Sequence, residues 1–173
     1  MRIGMIQAGW AGDLAFAQGA LDIGQAMATP IIRRLKTHTL EGGWPRLRYI
    51  IWDAPPGTAC PVVETLRGAS YALLVTEPTP FGLHDLQLAV EVARDVLRLP
   101  VGIVLNKDNG DDRQMESYCR AKRLPILLRI PLDRRIAEAY SAGIPLVKAR
   151  PEYRRSLEQL LWQIEQLANR GNA

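Results

Sequence analysis

A carboxylate followed by a proline- and glycine-containing turn is the first feature of the sequence that could do chemistry. Asp53 comes directly after the apolar run of residues 49–52 and is followed by Ala-Pro55-Pro56-Gly57. A carboxylate at the end of a strand can hold Mg²⁺, directly or through water, beside a bound nucleotide. The two prolines stiffen the turn, and glycine lets a backbone N–H approach a phosphate. The same residues are also typical of an ordinary tight turn between a strand and a helix.

The elements that must position such residues follow from the hydropathy pattern. Beyond residue 48, short apolar runs alternate with amphipathic stretches, which is typical of parallel strands that are buried on both faces and joined by helices. We therefore predict an α/β fold with a doubly wound, mainly parallel sheet, in which ligands bind beyond the carboxyl ends of the strands. The predicted strands are 49–52, 71–76, 101–106 and 126–130, and the predicted helices are 61–67, 84–98, 113–122, about 133–142 and about 152–169.

The beginning of the chain is organised differently. Residues 1–28 are rich in glycine and alanine with short apolar stretches, which predicts a hairpin or an extended lead-in. Thr29 as an N-cap and Pro30 in the first turn then predict the start of a helix. The length is sufficient for one ordinary domain. We expect a single domain, 1–173, with its α/β core over 29–173.

Four segments, taken together, resemble successive blocks of a known superfamily, the MinD/ParA/Mrp P-loop ATPases of the SIMIBI type. The resemblance is to the subgroup that carries an inserted ferredoxin module, and to its C-terminal part. It implies a P-loop NTPase-like fold with ATP and Mg²⁺ as ligands. The segments are GALDIGQAM (19–27), YIIWDAPPGTACP (49–61), LLVTEPTPFGLHDL (73–86) and VGIVLNK (101–107).

The resemblance also implies roles for individual residues. Asp53 would be the Walker B carboxylate, a catalytic residue that binds Mg²⁺ directly or through water, and Pro56 and Gly57 would lie in switch II near the terminal phosphate. Asn106 would read adenine, since an amide can both donate and accept hydrogen bonds. The aliphatic stem of Lys107 could lie along the base.

Two further segments leave alternatives open. Pro131 and Asp133 resemble the family loop that lies over the base, but Asp133 could equally be an ordinary N-cap that accepts helix N–H groups. The stretch from Asn106 to Asn109 is similar to the guanine-reading motif Asn-Lys-x-Asp. Because Asn109 stands where that motif has aspartate, the sequence does not support GTP specificity.

Two features of the superfamily have no counterpart in this sequence. The pattern Gly-x-x-x-x-Gly-Lys-Ser/Thr, whose amides and lysine bind phosphates, does not occur. With only Cys60 and Cys119, this chain alone is not expected to hold an iron–sulfur cluster. The P-loop strand of the superfamily lies between the strands that end here in Asp53 and Thr76. These two strands would therefore pair directly, leave open edges or accept a strand from elsewhere.

Charge and hydropathy restrict the partners and the compartment. The net charge of +4 and arginine doublets such as 33–34 and 154–155 permit weak attraction to anions. Without interleaved aromatic residues they indicate solvated helix faces and no specific nucleic acid. No apolar run has the length of a membrane helix and no signal pattern is present. We expect a cytoplasmic protein without a transmembrane segment.

The leading hypothesis is the nucleotide-binding C-terminal part of a MinD-like ATPase that hydrolyses ATP only when a partner or a further segment supplies the P-loop. The alternative is a non-hydrolysing dimerisation or regulatory module that pairs with a complete MinD-like ATPase. Both imply a homodimer, or a heterodimer with a P-loop-bearing chain, as the resemblance suggests.

Overall fold

The structure, a computed structural model, describes residues 2–42, 44 and 47–171. The chain divides into two compact units, Met1–Arg67 and Gly68–Ala173, and each is described by itself. The prediction of a single domain with a lead-in up to residue 28 stays a prediction.

The first unit begins with the predicted hairpin. Strands β1 (Gly4–Ala11) and β2 (Leu14–Leu21) pair antiparallel. The turn between them has two residues, and its first, Gly12, has a φ of +63°. A type II′ turn places a glycine with positive φ at that position, and its twist matches that of the flanking strands.

Helix α1 (Thr29–Glu41) packs on this hairpin. Its Ile31 is buried against glycines on both strands: a Cβ atom at Gly4 or at Gly19 would lie 2.7 or 3.1 Å from the Ile31 side chain. The prediction of Thr29 as the N-cap was wrong. Ala28 holds that position without a side-chain cap, and Thr29 is already helical. Helix α2 (Cys60–Leu66) follows one residue earlier than predicted.

The strand predicted over residues 49–52 is not formed. Residues 47–59 contain neither helix nor strand, although the apolar run itself is there. A strand needs a neighbour that pairs its backbone N–H and C=O groups, and no described strand takes that place in the first unit beyond the hairpin. Apolar patterning alone therefore did not determine this element.

The second unit contains a parallel three-stranded sheet in the order β3-β4-β5. The strands are β3 (Ala72–Thr76), β4 (Val101–Asp108) and β5 (Ile126–Pro131). The central strand β4 is buried from Val101 to Leu105, as its continuous apolar run predicts. The predicted α/β fold with a parallel sheet is confirmed.

Helices follow each of these strands. Helix α3 begins at Pro80 and not at 84, because the Thr79 side chain accepts a hydrogen bond from the Gly82 N–H (3.0 Å) and caps the helix. A four-residue helix, α6, was not predicted. The helices are α3 (Pro80–Val90), continued by a π-helical turn Glu91–Val96, then α4 (Arg113–Ala121), α5 (Arg134–Ser141), α6 (Leu146–Ala149) and α7 (Tyr153–Gly171). Among the described residues, no helix has the length and apolar character to cross a membrane.

Candidate nucleotide-binding site

Strand β4 contains an irregularity where the sequence predicts base recognition. Leu105 pairs with Arg129 and Asp108 pairs with Pro131, so that two residues of β4, Asn106 and Lys107, lie opposite one residue of β5. This two-against-one pairing is a β-bulge, which is rare between parallel strands and is over-represented beside functional sites, where it redirects side chains. We call Asn106 and Lys107 the β4 bulge.

The backbone of the bulge is in an unusual conformation. Lys107 has a φ of +53°, in the left-handed region that side chains other than glycine, asparagine and aspartate seldom adopt. The Lys107 ammonium forms an ion pair of 2.7 Å with Glu77, which directly follows β3. Asn106 is half-buried and Lys107 is exposed. The structure therefore presents both predicted residues at the carboxyl edge of the sheet, where α/β folds bind ligands.

Asp108 directly follows the bulge, and three of its oxygen atoms accept hydrogen bonds from donors on three different segments. Its backbone oxygen accepts the Leu132 N–H (2.9 Å), its Oδ1 accepts the Gly110 N–H (2.9 Å) and its Oδ2 accepts Nη1 of Arg129 (2.9 Å). The hydrogen bond from Gly110 and the Arg129 guanidinium hold the pKa of Asp108 below its usual value. The carboxylate is therefore ionised and committed to the protein at neutral pH.

Arg129 is a charged residue inside the apolar strand β5. Its guanidinium pairs with Asp108, with Asp112 and, at 2.5 Å, with Glu116 of α4. The hydrogen bond to Asp112 contributes most to a raised pKa of Arg129. A charge at such a position is compensated only when carboxylates surround it, and the turn after β4 and helix α4 provide them.

The loop after β5 lies beside the bulge, because Leu132 donates to the Asp108 backbone. Asp133 is the N-cap of α5: its Oδ1 accepts the Arg135 N–H (2.8 Å), and its Oδ2 pairs with Arg150. The N-cap alternative is therefore the one that the structure shows. Leu132 is 65% exposed, so an apolar side chain and not the Asp133 carboxylate is the available part of this loop.

The remaining predicted residues lie in the first unit, in the loop between residue 52 and α2. Asp53, Pro56 and Gly57 are all exposed. Gly57 has a φ of +94°, and a Cβ atom there would meet nothing within 4 Å. The space around the Gly57 backbone is therefore open, as the approach of a phosphate requires, while its conformation favours glycine.

One lysine of α1 contacts the residue before this loop and the far end of the helix that follows it. The Lys36 ammonium donates to the backbone oxygens of Glu64 and Thr65 (3.1 Å each) and of Arg67, at the C-terminal end of α2. It also lies 5.4 Å from the centroid of the Trp52 ring, a cation–π distance, one residue before Asp53. Burial lowers the pKa of Lys36. Lys36 therefore links the residue before the loop to the C-terminal end of α2.

The seven predicted residues thus fall into two groups, one in each unit. The second unit brings together Asn106, Lys107, Pro131 and Asp133 through Asp108. The first unit holds Asp53, Pro56 and Gly57 in one exposed loop.

The resemblance suggests two kinds of metal site, a Mg²⁺ ion and a 4Fe–4S cluster. The side chains of this chain could serve as ligands for the first but not for the second. Mg²⁺ in nucleotide sites takes one or two carboxylates, substrate phosphates and waters, so a single exposed carboxylate at Asp53 fits an ion that arrives with its nucleotide. A 4Fe–4S cluster takes four thiolates. Cys60 is exposed, but Cys119 is buried and burial raises the pKa of its thiol. One copy of the chain does not provide a ligand set for such a cluster.

Sequence reasoning missed the residues that hold the candidate site in place. These are Lys36, Glu77, Asp108, Arg129 and Arg150. For Arg129 a signal was present: a charge within the run Ile-Leu-Leu-Arg-Ile requires acidic partners, and an acidic group follows the previous strand. For Lys36, whose partners are backbone carbonyls and an aromatic ring, the pattern carries no such signal.

Comparison with known proteins identifies the family. Residues 23–167 match the model of the ParA family, described as NUBPL iron-transfer P-loop NTPase. The chain belongs to the ParA family. The resemblance inferred from the sequence motifs is therefore confirmed.

Two curated proteins are similar to the chain over most of its length. An uncharacterized protein of Methanocaldococcus jannaschii is 32% identical over 130 residues, which cover 75% of this chain and 44% of that protein. The iron-sulfur cluster carrier protein of the same organism is 28% identical over 142 residues, or 70% of this chain and 49% of that protein. The chain spans about half the length of the curated relatives that it matches.

Solved structures support the same fold. The cell division ATPase MinD of Pyrococcus furiosus aligns with a TM-score of 0.54 and 31% identity over 66% of this chain and 50% of that one. The septum site-determining protein MinD of Pyrococcus horikoshii, complexed with Mg-ADP, aligns with a TM-score of 0.59 and 26% identity over 83% of this chain and 57% of that one. This ParA-family chain therefore has a P-loop NTPase-like fold.

Proposed function

We propose that the chain is the adenine-nucleotide-binding, C-terminal part of a MinD-like ATPase, and that it hydrolyses ATP only together with a P-loop from a partner or a further segment. The β4 bulge is the observation that carries this proposal. It places Asn106 at the carboxyl edge of the sheet and is joined through Asp108 to the loop that carries Leu132. An amide beside an exposed apolar side chain can hydrogen-bond the edge of a base and cover its face.

The family comparison supports adenine as the base and Mg²⁺ as the accompanying ion, since one similar MinD was solved with Mg-ADP. In this proposal Asn106 binds the adenine edge, and the Lys107 stem, Pro131 and Leu132 lie against the base. Asp133 fixes the start of α5. At the phosphate end, Asp53 holds the hydrated Mg²⁺, while Pro56 and Gly57 present the backbone of the loop to the terminal phosphate.

Two apolar segments support the need for an added strand. Beside β3, β4 occupies one edge, and no described strand occupies the other. Val75 of β3 is 62% exposed. In the first unit, Ile51 of the run before Asp53 is 88% exposed. Open parallel edges with apolar side chains favour pairing with a further strand, which in this proposal carries the phosphate-binding loop.

Binding of Mg-ATP to the purified chain, measured by calorimetry, tests the base-binding part of the proposal. We expect a Kd of about 100 μM or tighter, which corresponds to about 5.5 kcal/mol, and a loss of at least about tenfold for Asn106→Ala, since the buried edge of the base loses its partner. Asn109→Ala is the matched control, because Asn109 lies in the turn directly after the bulge strand and its side chain accepts the Asp111 N–H. Equal binding by wild type and Asn106→Ala would refute the proposed role of Asn106.

Hydrolysis requires a second experiment. The part of the Methanocaldococcus jannaschii iron-sulfur cluster carrier that lies outside the matched segment is mixed with or fused to this chain, and phosphate release is measured. We expect release with wild type and a loss of at least about 100-fold with Asp53→Ala, the order of effect of losing a group that stabilises developing charge.

A non-hydrolysing dimerisation or regulatory module is the second candidate. It is favoured by the absence of Gly-Lys-Ser/Thr from the sequence together with the open edge of β3. Nucleotide-independent association of the chain with a complete MinD-like ATPase, without phosphate release from the hybrid described above, would favour it. In both candidates the active assembly is a homodimer or a heterodimer.

The names of the relatives suggest an iron–sulfur cluster as cargo. In this proposal a cluster is bound only with ligands from a second chain, because one copy offers the exposed Cys60 and the buried Cys119.

A further inference from the structure

Asp108 accepts three hydrogen bonds from the protein, and none of them is needed for Asn106 to contact a base. Of its three acceptor atoms, one binds the loop after β5, one binds the turn at Gly110 and one binds Arg129. The side chain is 12% exposed. The mostly buried carboxylate accepts two of these bonds and the backbone oxygen accepts the third, so together they fix the backbone on both sides of Asp108. The residues on its N-terminal side are the β4 bulge.

Arg129 contacts this carboxylate from the β5 position that lies opposite the residue before the bulge. It lies opposite Leu105, the last β4 residue before the bulge, while Pro131 lies opposite Asp108, the first residue after it. The contact from Arg129 to Asp108 therefore spans the two residues of the β4 bulge. Its other carboxylates, Asp112 and Glu116, hold the guanidinium in place from the side of α4.

The bulge needs such a tie because its conformation is unfavourable. A positive φ at a lysine is strained and persists only where surrounding contacts impose it. The ion pair of Lys107 with Glu77 is exposed at both side chains and contributes little. The mostly buried Asp108–Arg129 contact is the stronger constraint.

We propose that Asp108 and Arg129 are positioning residues that hold the β4 bulge and thereby set the preference for adenine over guanine. This inference rests on the proposed function, in which Asn106 reads the base. Neither residue touches the nucleotide. Asp108 stands inside the stretch similar to the guanine-reading motif, but its carboxylate is occupied by Gly110 and Arg129 and is not available to a base.

The test compares two substitutions that each remove one carboxylate charge from Arg129. Asp108→Asn removes the contact that spans the bulge, and Glu116→Gln removes a contact to α4 that touches no part of β4. Two quantities are measured on the full chain: amide hydrogen exchange at Leu132, whose N–H binds the Asp108 oxygen, and the ratio of the Kd values for Mg-GTP and Mg-ATP.

We expect Asp108→Asn to accelerate exchange at Leu132 by about tenfold, and to lower the GTP-to-ATP ratio by a similar factor, which is the loss of one charge-assisted hydrogen bond. We expect Glu116→Gln to change the exchange rate at Leu132 and the ratio of Kd values by less than about twofold each, because an exposed ion pair contributes little. Arg129→Met reproduces Asp108→Asn, and Arg129→Lys, which keeps one contact, lies between Arg129→Met and wild type.

Equal effects of Asp108→Asn and Glu116→Gln on Leu132 exchange would overturn the inference. So would a faster exchange in Asp108→Asn that leaves the ratio unchanged, since the bulge would then be released without consequence for the base. If the wild type binds neither nucleotide, the proposed function of the isolated chain fails. The exchange comparison then still decides whether the Asp108–Arg129 contact holds the bulge.

Discussion

The edge around the β4 bulge and the loop around Asp53 carry the same kind of prediction, yet they are built very differently. The bulge is embedded in the sheet and tied by Asp108 and Arg129 to the next loop and to α4. The Asp53 loop follows an apolar run that forms no strand, and Lys36 contacts Trp52 before the loop and backbone oxygens at the far end of α2. Parallel strands that have neighbours hold their polar ends in place, and an apolar run without a neighbour does not.

This difference indicates which part of the candidate site depends on a partner or on a further segment. The edge that is proposed to bind the base is held by contacts of Asp108 with Arg129 and of Lys107 with Glu77, which lie within the second unit. The Asp53 loop has a conformation open to a phosphate but lacks a neighbouring strand among the described residues. We infer that base recognition survives in the isolated chain and that phosphate chemistry requires completion.

Removal of the charge that ties the bulge has the largest expected effect on stability. Arg129→Met leaves Asp108 and Asp112, both mostly buried, without their cation, and we expect a loss of about 2 kcal/mol, reduced from the value for a fully buried pair because Arg129 is 38% exposed. Urea unfolding measures it. The control Arg134→Met breaks an exposed pair with Glu138 and costs less than about 0.5 kcal/mol. Similar losses in the two variants would show that the network around Arg129 is not a constraint.

Removal of the Lys36 ammonium group has the next largest effect on stability. Lys36→Met leaves the carbonyl groups at the end of α2 without their donor, and we expect a loss of about 1.5 kcal/mol. Trp52 loses its cation, so its fluorescence changes in a background where the tryptophans at 10, 44 and 162 are phenylalanine. Arg34→Met, on the exposed side of α1, is the control. An unchanged Trp52 spectrum in Lys36→Met would contradict the contact between the Lys36 ammonium and the Trp52 ring.

A substitution in the turn gives an effect of about 1 kcal/mol. Gly57→Ala forces a side chain into a φ of +94°, and the strain costs about 1 kcal/mol. Gly9→Ala is a matched control, because a Cβ atom at Gly9 also meets nothing within 4 Å but its φ is not positive. Thermal unfolding separates the two. If Gly57→Ala is as stable as Gly9→Ala, the conformation of the loop is not fixed as described.

The smallest effect is a dependence of stability on pH. The pKa of Asp108 in the folded chain lies below its unfolded value, because Gly110 and Arg129 favour the charged form. Its stabilisation is therefore complete above the unfolded pKa of about 3.9 and is lost as the pH falls through the folded pKa. Urea unfolding between pH 7 and pH 3 should show a smaller acid loss in Asp108→Asn than in wild type. An identical loss would mean that this carboxylate is not held as described.

Much of the fold could be predicted from local patterns. The strands 72–76, 101–108 and 126–131 each begin with an apolar run and have helices between them, and they form the sheet. The N-terminal hairpin followed from glycines and short apolar stretches. The run at 49–52 has the same composition, but its pairing depends on a neighbour that a local pattern does not contain.

The candidate site was predictable only in part. Asn106 and Lys107 were predicted as site residues because they end an apolar strand in a recognisable motif. The bulge was not, because a register shift depends on how β4 aligns with β5, and no residue in β4 marks it by composition. The role of Asp108 depends on an arginine 21 residues further along the chain, a contact that folding creates.

The most direct test of the central claim is a titration of the ¹⁵N-labelled chain with Mg-ATP, followed by the amide signals of individual residues. If the base-recognising edge is complete in this chain, Asn106, Lys107 and Leu132 shift together and saturate with one Kd, and the shifts are absent in Asn106→Ala. Saturable shifts that leave these three residues unchanged, or no shifts at millimolar nucleotide, would contradict the claim that this edge binds adenine by itself.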